Sequence, residues 1–298
     1  MRVGILGCGY VGTELGRQLL DDGHDVVGVV RSAESVDRIS KVGLDAVQAD
    51  LTDRESLSTI PDVDALVFAA SAGRGSVETA RKLYLGGLEN IVDEFAGRAS
   101  SPARLLFTSS TGVYGDHDGD WVDESTPVAP ASPKAEVIAD AESLVRAGPI
   151  TGTVARFAGL YGPGRYRLDR YLSGPVTAGY RNSTHRNDAA GALAHFLTAD
   201  VARGETVLVT DDRPVEKWAF AEWLAEECGV EPPQKQTLAE RLEEASLSPE
   251  AERRLRSQKR CRNDRLHEFG YELRVPSVYE GYRPAIAAYL AGEDPDAR

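Results

Sequence analysis

The chain predicts an open, doubly wound α/β sheet followed by a smaller C-terminal lobe. Three observations predict it: a glycine turn at 7–12 lies between a β-prone run and a helical pattern, strands and helices alternate through the first half, and that alternation breaks up in the second half.

Val3, Ile5 and Leu6 form a short apolar run, Gly7, Gly9 and Gly12 follow at once, and Val11, Leu15, Leu19 and Leu20 then recur at helical spacing. This is the strand, tight turn and helix start of a dinucleotide-binding (Rossmann) unit. Gly7 permits the turn, Gly9 lets the backbone approach a pyrophosphate, and Gly12 lets helix pack on strand. Tyr10 and Val11 lie in the same loop, where the helix N-terminus offers free N–H groups to phosphates.

The pattern continues with a strand at 24–30, a short helix at 32–41, and a third strand at 44–48 that runs into Asp50 and Leu51. The end of the second strand is where an NAD enzyme places an acid for the ribose 2′-hydroxyl. This chain has Arg31 and Ser32 there, a guanidinium and a hydroxyl that suit a 2′-phosphate. NADP(H) is therefore the expected cofactor, with NAD(H) as the alternative.

A buried strand over 63–70, a long helix over 77–96 and a strand over 103–108 come next, the last leading into a serine loop with Ser109, Ser110 and Thr111. Ligands in such sheets bind beyond the carboxyl ends of the strands, so the glycine loop, Asp50, Ala70, Ser71 and Ser110 should share one rim. Residues 1–155 are read as the dinucleotide-binding domain and 156–298 as an interleaved substrate lobe. The second half of the chain holds a strand at 151–157 that crosses this boundary, then a Gly-Pro-Gly loop ending at Arg165, helices at 188–199, 215–228 and 238–255, a strand at 205–210 and a last helix near the C-terminus. Arg165 and His185 are its candidate substrate contacts, since arginines at strand ends take carboxylates or phosphates bidentately. Asp188 is read as the cap of the helix that follows it.

The formal net charge of −13 argues against nucleic-acid and anionic-membrane partners, because a phosphate-binding surface needs clustered Lys and Arg. A small-molecule substrate is the expected partner, with a homodimer left open. Only six of the 34 basic residues are lysine, a composition like that of high-salt, halophilic cytoplasmic proteins. Cys8, Cys228 and Cys261 have neither disulfide nor metal-ligand spacing and suit a reducing compartment. With no long apolar run and an N-terminus that enters the first strand at once, a cytoplasmic location is expected.

Together the glycine loop, the 49–53 segment, the serine loop at 109–115, the 156–165 segment and the 185–188 segment resemble the extended short-chain dehydrogenase/reductase superfamily, in its NAD-dependent epimerase/dehydratase group. The likeness spans nearly the whole chain, and the segments 259–266 and 276–281 look like an atypical, YeeZ-like branch that lacks the active-site tyrosine. The resemblance implies hydride transfer on a hydroxyl or carbonyl of a small, sugar-derived or anionic metabolite. It also implies that Ser110 holds the reacting oxygen, with Ser109 and Thr111 as adjacent rivals and Thr111 as a candidate substrate contact.

In that superfamily a Tyr-x-x-x-Lys pair moves the proton. None of the eleven tyrosines here has a lysine four residues on. Lys134 takes the tyrosine's place, Ile138 the lysine's, and Tyr84 the place of an active-site asparagine. A reassigned acid/base, Lys134 or Tyr84, is one reading; a non-catalytic NADP(H) sensor that regulates a partner is another. A flavoprotein or a coenzyme-regulated ligand-binding domain is a third, against which the serine loop and the Arg165 loop argue.

Overall fold

A computed structural model describes residues 1–73, 75–244 and 247–297. Seven strands make the central sheet: β1 (Arg2–Leu6), β2 (Asp25–Val30), β3 (Asp45–Gln48), β4 (Ala65–Phe68), β5 (Arg104–Ser110), β6 (Gly152–Phe157) and β7 (Thr206–Val209). All pairings between them are parallel, in the order β7-β6-β5-β4-β1-β2-β3. Strand β1 pairs with both β2 and β4, so the strand order reverses there and leaves a crevice at the carboxyl ends.

Helices cover both faces, which is why the strands read as apolar runs and not as alternations. On one face, α1 (Tyr10–Asp21) and α6 (Arg186–Thr198) pack on Val3, Ile5, Val67 and Leu106. On the other, α4 (Gly87–Ala96) and α5 (Pro133–Ala147) pack on Leu66, Phe68, Leu105 and Phe107. Helix α2 (Ala33–Ser40) follows β2 and is capped by the Ser32 side chain, which accepts the Ser35 N–H.

The long helix expected over 77–96 is interrupted. Helix α3 (Val77–Arg81) passes into a π-helical turn, Lys82–Gly86, before α4 begins. Such bulges gather at functional sites, and this one carries Tyr84.

In the second half, the division at 155/156 falls inside β6, and β7 returns from the lobe to the sheet edge. The helix expected from 188 starts two residues earlier, at Arg186, with His185 as its N-cap. The segment expected as one helix over 215–228 opens as a short strand, Val215–Glu216, before α7 (Lys217–Cys228). The helix expected over 238–255 is two, α8 (Leu238–Glu243) and α9 (Pro249–Arg256), each with its own N-cap; positions 245–246 of that expectation lie outside the described residues. Tyr161, Tyr166, Phe220 and Tyr282 form a separate aromatic core beneath α7 and α10 (Arg283–Leu290). Among the described residues, no helix is long and apolar enough to cross a membrane.

Candidate active site

The crevice is a cleft of about 1210 Å³ along the carboxyl ends of the strands. Its floor is the glycine loop. Gly7 has φ +99°, and a Cβ there would lie 2.5 Å from Ala70 Cα; one on Gly12 would lie 2.5 Å from the Gly7 carbonyl oxygen. A Cβ on Gly9 would meet nothing within 4 Å, so its bare backbone faces open space. Among the described residues no side chain caps α1, which leaves its first N–H groups for a ligand's phosphates. The loop thus fits a pyrophosphate.

At one end of the cleft stand Arg31, Ser35 and Arg38. Ser32, expected beside Arg31, is instead spent on α2: it caps Ser35 and its hydroxyl bonds Ser35 Oγ at 3.0 Å. Arg38 also donates to the Cys8 carbonyl at 3.0 Å and so braces the glycine loop. Asp50 lies on the same wall with Leu51. Burial pushes its pKa up, but the backbone and side-chain hydrogen bonds from Thr52, at 2.9 and 2.8 Å, win and hold the carboxyl below its ordinary value. Ala70 and Ser71 form the opposite lip, and Tyr10 and Val11 line the floor.

The other end holds Ser110, Tyr84 and Ile138. Ser110 Oγ accepts the Gly112 N–H at 3.1 Å, which fixes the hydroxyl and leaves its own O–H to donate. Its neighbour Ser109 faces inward and donates to Glu142 at 2.5 Å. Glu142 is 1% exposed and paired with Arg156, which in turn bonds the Tyr114 hydroxyl at 2.6 Å. That buried chain of polar groups locks the serine loop to α5 and leaves Ser110 as the serine of the loop that is free to act.

Tyr84 reaches in from the π-helical turn. Its hydroxyl accepts the Ala72 N–H at 3.3 Å, and its ring stands edge-on to Phe107, 6.2 Å between centroids. Lys134 does not line the cleft. It sits in the first turn of α5, after Ser132 and Pro133, half-buried. Ile138, one turn further on, presents only an alkyl side chain to the cleft.

Arg165 lines the cleft from the lobe, its guanidinium 4.2 Å from the centre of the Tyr10 ring. The Tyr10 hydroxyl is buried without a hydrogen-bond partner among the described residues, and burial pushes its pKa up to about 12. The loop that carries Arg165 is held by the C-terminal tail: Asp296 accepts the N–H groups of Tyr166 at 2.6 Å and Arg167 at 2.8 Å. Thr111 is 7% exposed inside the turn Thr111–Tyr114 and does not reach the cleft.

His185 is buried behind Gly162 and edge-on to Tyr161, where its Nδ1 accepts the Asn187 N–H as the cap of α6. Asp188, expected as that cap, is instead a buried acceptor. It takes the Tyr271 hydroxyl at 3.0 Å and the N–H groups of Arg274 and Val275, so it anchors the C-terminal segment.

Ser35, Arg38 and Lys82 line the cleft and were not singled out from the sequence. The signal for Ser35 and Arg38 was their spacing: three residues apart, they share a helix face. Lys82 lies in the π turn, where ordinary helical spacing no longer tells which side a residue faces.

A family model described as NAD(P)H-binding matches residues 7–200. The chain is 30% identical over 242 residues to protein YeeZ of Escherichia coli K12, covering 78% of this chain and 86% of the relative. It is 31% identical over 267 residues to a 3-diazoavenalumate denitrifying reductase of a Streptomyces species, covering 78% and 83%. A solved structure from Methylobacillus flagellatus, provisionally assigned as an NAD-dependent epimerase/dehydratase, superposes with a TM-score of 0.77 at 30% identity and covers 98% of each chain.

Proposed function

This chain belongs to the NAD(P)H-binding, extended short-chain dehydrogenase/reductase superfamily, in its epimerase/dehydratase group with YeeZ, and from that premise we propose that it is an atypical NADP(H)-dependent oxidoreductase or epimerase-like enzyme acting on a hydroxyl or carbonyl of a small metabolite. One observation carries the reading: a single cleft runs from the glycine loop to Ser110 and Tyr84.

Arg31, Ser35 and Arg38 receive the 2′-phosphate, the α1 N-terminus the pyrophosphate, and Asp50 with Leu51 flanks the adenosine. Ala70 and Ser71 would flank it from the opposite lip of the same cleft. NADP(H), when bound, supplies or accepts the hydride. Ser110 donates a hydrogen bond to the reacting oxygen, where charge develops. Tyr84, whose hydroxyl accepts from Ala72 and whose own O–H is left to donate, exchanges the proton in place of the absent family tyrosine. Lys134 is the less favoured carrier because it stands outside the cleft. The reading needs only a small-molecule partner; a cytoplasmic setting and a homodimer are part of the same proposal and are not needed for the chemistry.

A second reading, a cofactor sensor without turnover, is favoured by one feature. The place of the family lysine is an alkyl wall, Ile138, which can neither tune a phenol nor bond a ribose.

The deciding experiment follows NADPH consumption and NADP+ reduction over a panel of aldehydes, ketones and hydroxy acids. Ser110→Ala and Tyr84→Phe are each expected to lower turnover by about 10² to 10⁴ with NADPH affinity unchanged, and Lys134→Met to leave both intact. Full turnover in the Ser110 and Tyr84 variants would overturn the assignment of roles. Tight NADPH binding with no turnover on any compound would favour the sensor.

A further inference from the structure

A second cavity, of about 170 Å³, adjoins the cofactor cleft and shares the wall of Gly159, Leu160, Arg165 and Arg167 with it. Its cationic lining is dense: Arg165, Arg167, Arg170 and Arg181 all face it. No acid lines it among the described residues, and none of these four arginines makes an ion pair there. Four such guanidinium groups around one small space repel each other, and the carboxylates beside them, Asp211 near Arg181 and Asp296 on the Arg167 N–H, are not part of the cavity lining.

The site is built and not merely a patch of surface charge. Arg181 donates to Ser183 Oγ at 2.8 Å and to the Tyr171 hydroxyl at 2.5 Å. Its guanidinium lies 5.0 to 5.4 Å from the ring centres of Tyr161, Tyr171, Phe220 and Tyr282. A cation held this way is fixed in position and shielded from water, which strengthens its pull on an anion. Arg167 sits at φ +54°, a conformation held by the Asp296 carboxylate on its N–H, so the loop is set before any ligand arrives.

Size narrows the occupant. Sites for drug-sized ligands run from about 300 to 1,000 Å³, well above this volume. We propose that this cavity is the anion-recognising half of the substrate site and that it takes a compact oxyanion, the carboxylate or phosphate end of a small metabolite, with no room for a nucleotide. The proposal rests on the NADP(H) reading of the larger cleft, which places the rest of that metabolite across the shared wall. Guanidinium forks bind both anions bidentately, so the chemistry is common to the two sources.

The test is calorimetric titration of the NADPH-saturated protein with inorganic phosphate, malonate and UDP at fixed ionic strength, repeated on the chain without cofactor. Arg167 and Arg170 are exposed, so the double variant Arg167→Ala/Arg170→Ala spares the core. Phosphate or malonate is expected to bind the wild type, at least tenfold more weakly in the double variant, and the tighter of the two names the source. UDP is expected to bind no more tightly than phosphate.

The proposal is overturned if neither small oxyanion binds, if both bind the double variant unchanged, or if UDP binds tenfold more tightly than phosphate. NADPH affinity, read separately by its fluorescence, should be unchanged in the single variant Arg170→Ala, whose side chain lines the smaller cavity and not the cofactor cleft. If NADPH does not bind at all, the oxidoreductase reading fails, and the titration without cofactor still decides the cavity.

Discussion

The Arg165 guanidinium stacks on the Tyr10 ring, 4.2 Å from its centre, and this contact joins the substrate lobe to the glycine loop. Arg186 approaches the same ring at 5.3 Å, so one aromatic side chain steadies two cations. A cation–π contact is worth about 0.5 to 2 kcal/mol, depending on how dry it is. Tyr10→Leu should therefore lower the melting temperature by a few degrees and weaken NADPH binding several-fold, because the lobe loses its hold on the loop. Calorimetry and fluorescence titration check both; unchanged values would mean that the stacking positions nothing.

Cofactor choice divides two arginines that the sequence alone does not separate. Arg31 makes no side-chain hydrogen bond among the described residues, whereas Arg38 braces the Cys8 carbonyl. Hydrogen bonds to charged groups contribute about 1.5 to 3 kcal/mol. Arg31→Asp should weaken NADPH by about tenfold or more and leave NADH nearly unchanged, while Arg38→Ala should weaken both. Equal losses for the two cofactors in the Arg31 variant would remove the 2′-phosphate from this site.

Much of this end of the molecule was legible in the sequence because it is local. The glycines, the strand before them and the helix after them lie within twenty residues, and sterics at Gly7 and Gly12 leave little choice of backbone. What was not legible is long-range. Asp188 at a helix start reads as a cap, but its partners Tyr271, Arg274 and Val275 lie more than eighty residues on, and they claim the carboxylate. Ser32 and Ser35 are equivalent in composition, and only the direction of α2 decides which faces the cleft. The apolar spacing over 77–96 is compatible with one straight helix, and the π turn that aims Tyr84 at the cleft changes no residue type. Arg181 is ordinary until Tyr171, Phe220 and Tyr282 fold around it.

The surplus of acids has a test of its own. Exposed carboxylates repel one another, and the screening length falls from about 10 Å at 0.1 M salt to about 3 Å at 1 M. If the composition reflects a high-salt setting, the melting temperature should rise as KCl is raised over that interval. A flat or falling curve would assign the charge excess to another cause.

Acid should weaken the fold through His185. Burial, with Arg186 beside it, holds the His185 pKa down at about 4, below its ordinary 6.5. Between those two values the unfolded chain binds a proton that the folded chain refuses, so stability falls as pH drops from 6.5 towards 4 and is fully present above 6.5. The shift corresponds to a loss of about 3 kcal/mol at most, at 1.36 kcal/mol per pH unit. Asp188 and Asp211 act in the opposite sense, since burial raises both their pKa values, so the wild-type curve alone does not isolate the histidine. His185→Asn keeps a capping acceptor for α6 and removes the titration. Urea unfolding at a series of pH values should then give a shallower decline in the variant than in the wild type between pH 6.5 and 4. Parallel curves would mean that His185 takes up its proton in the folded state as readily as in the unfolded one, and that acid acts elsewhere.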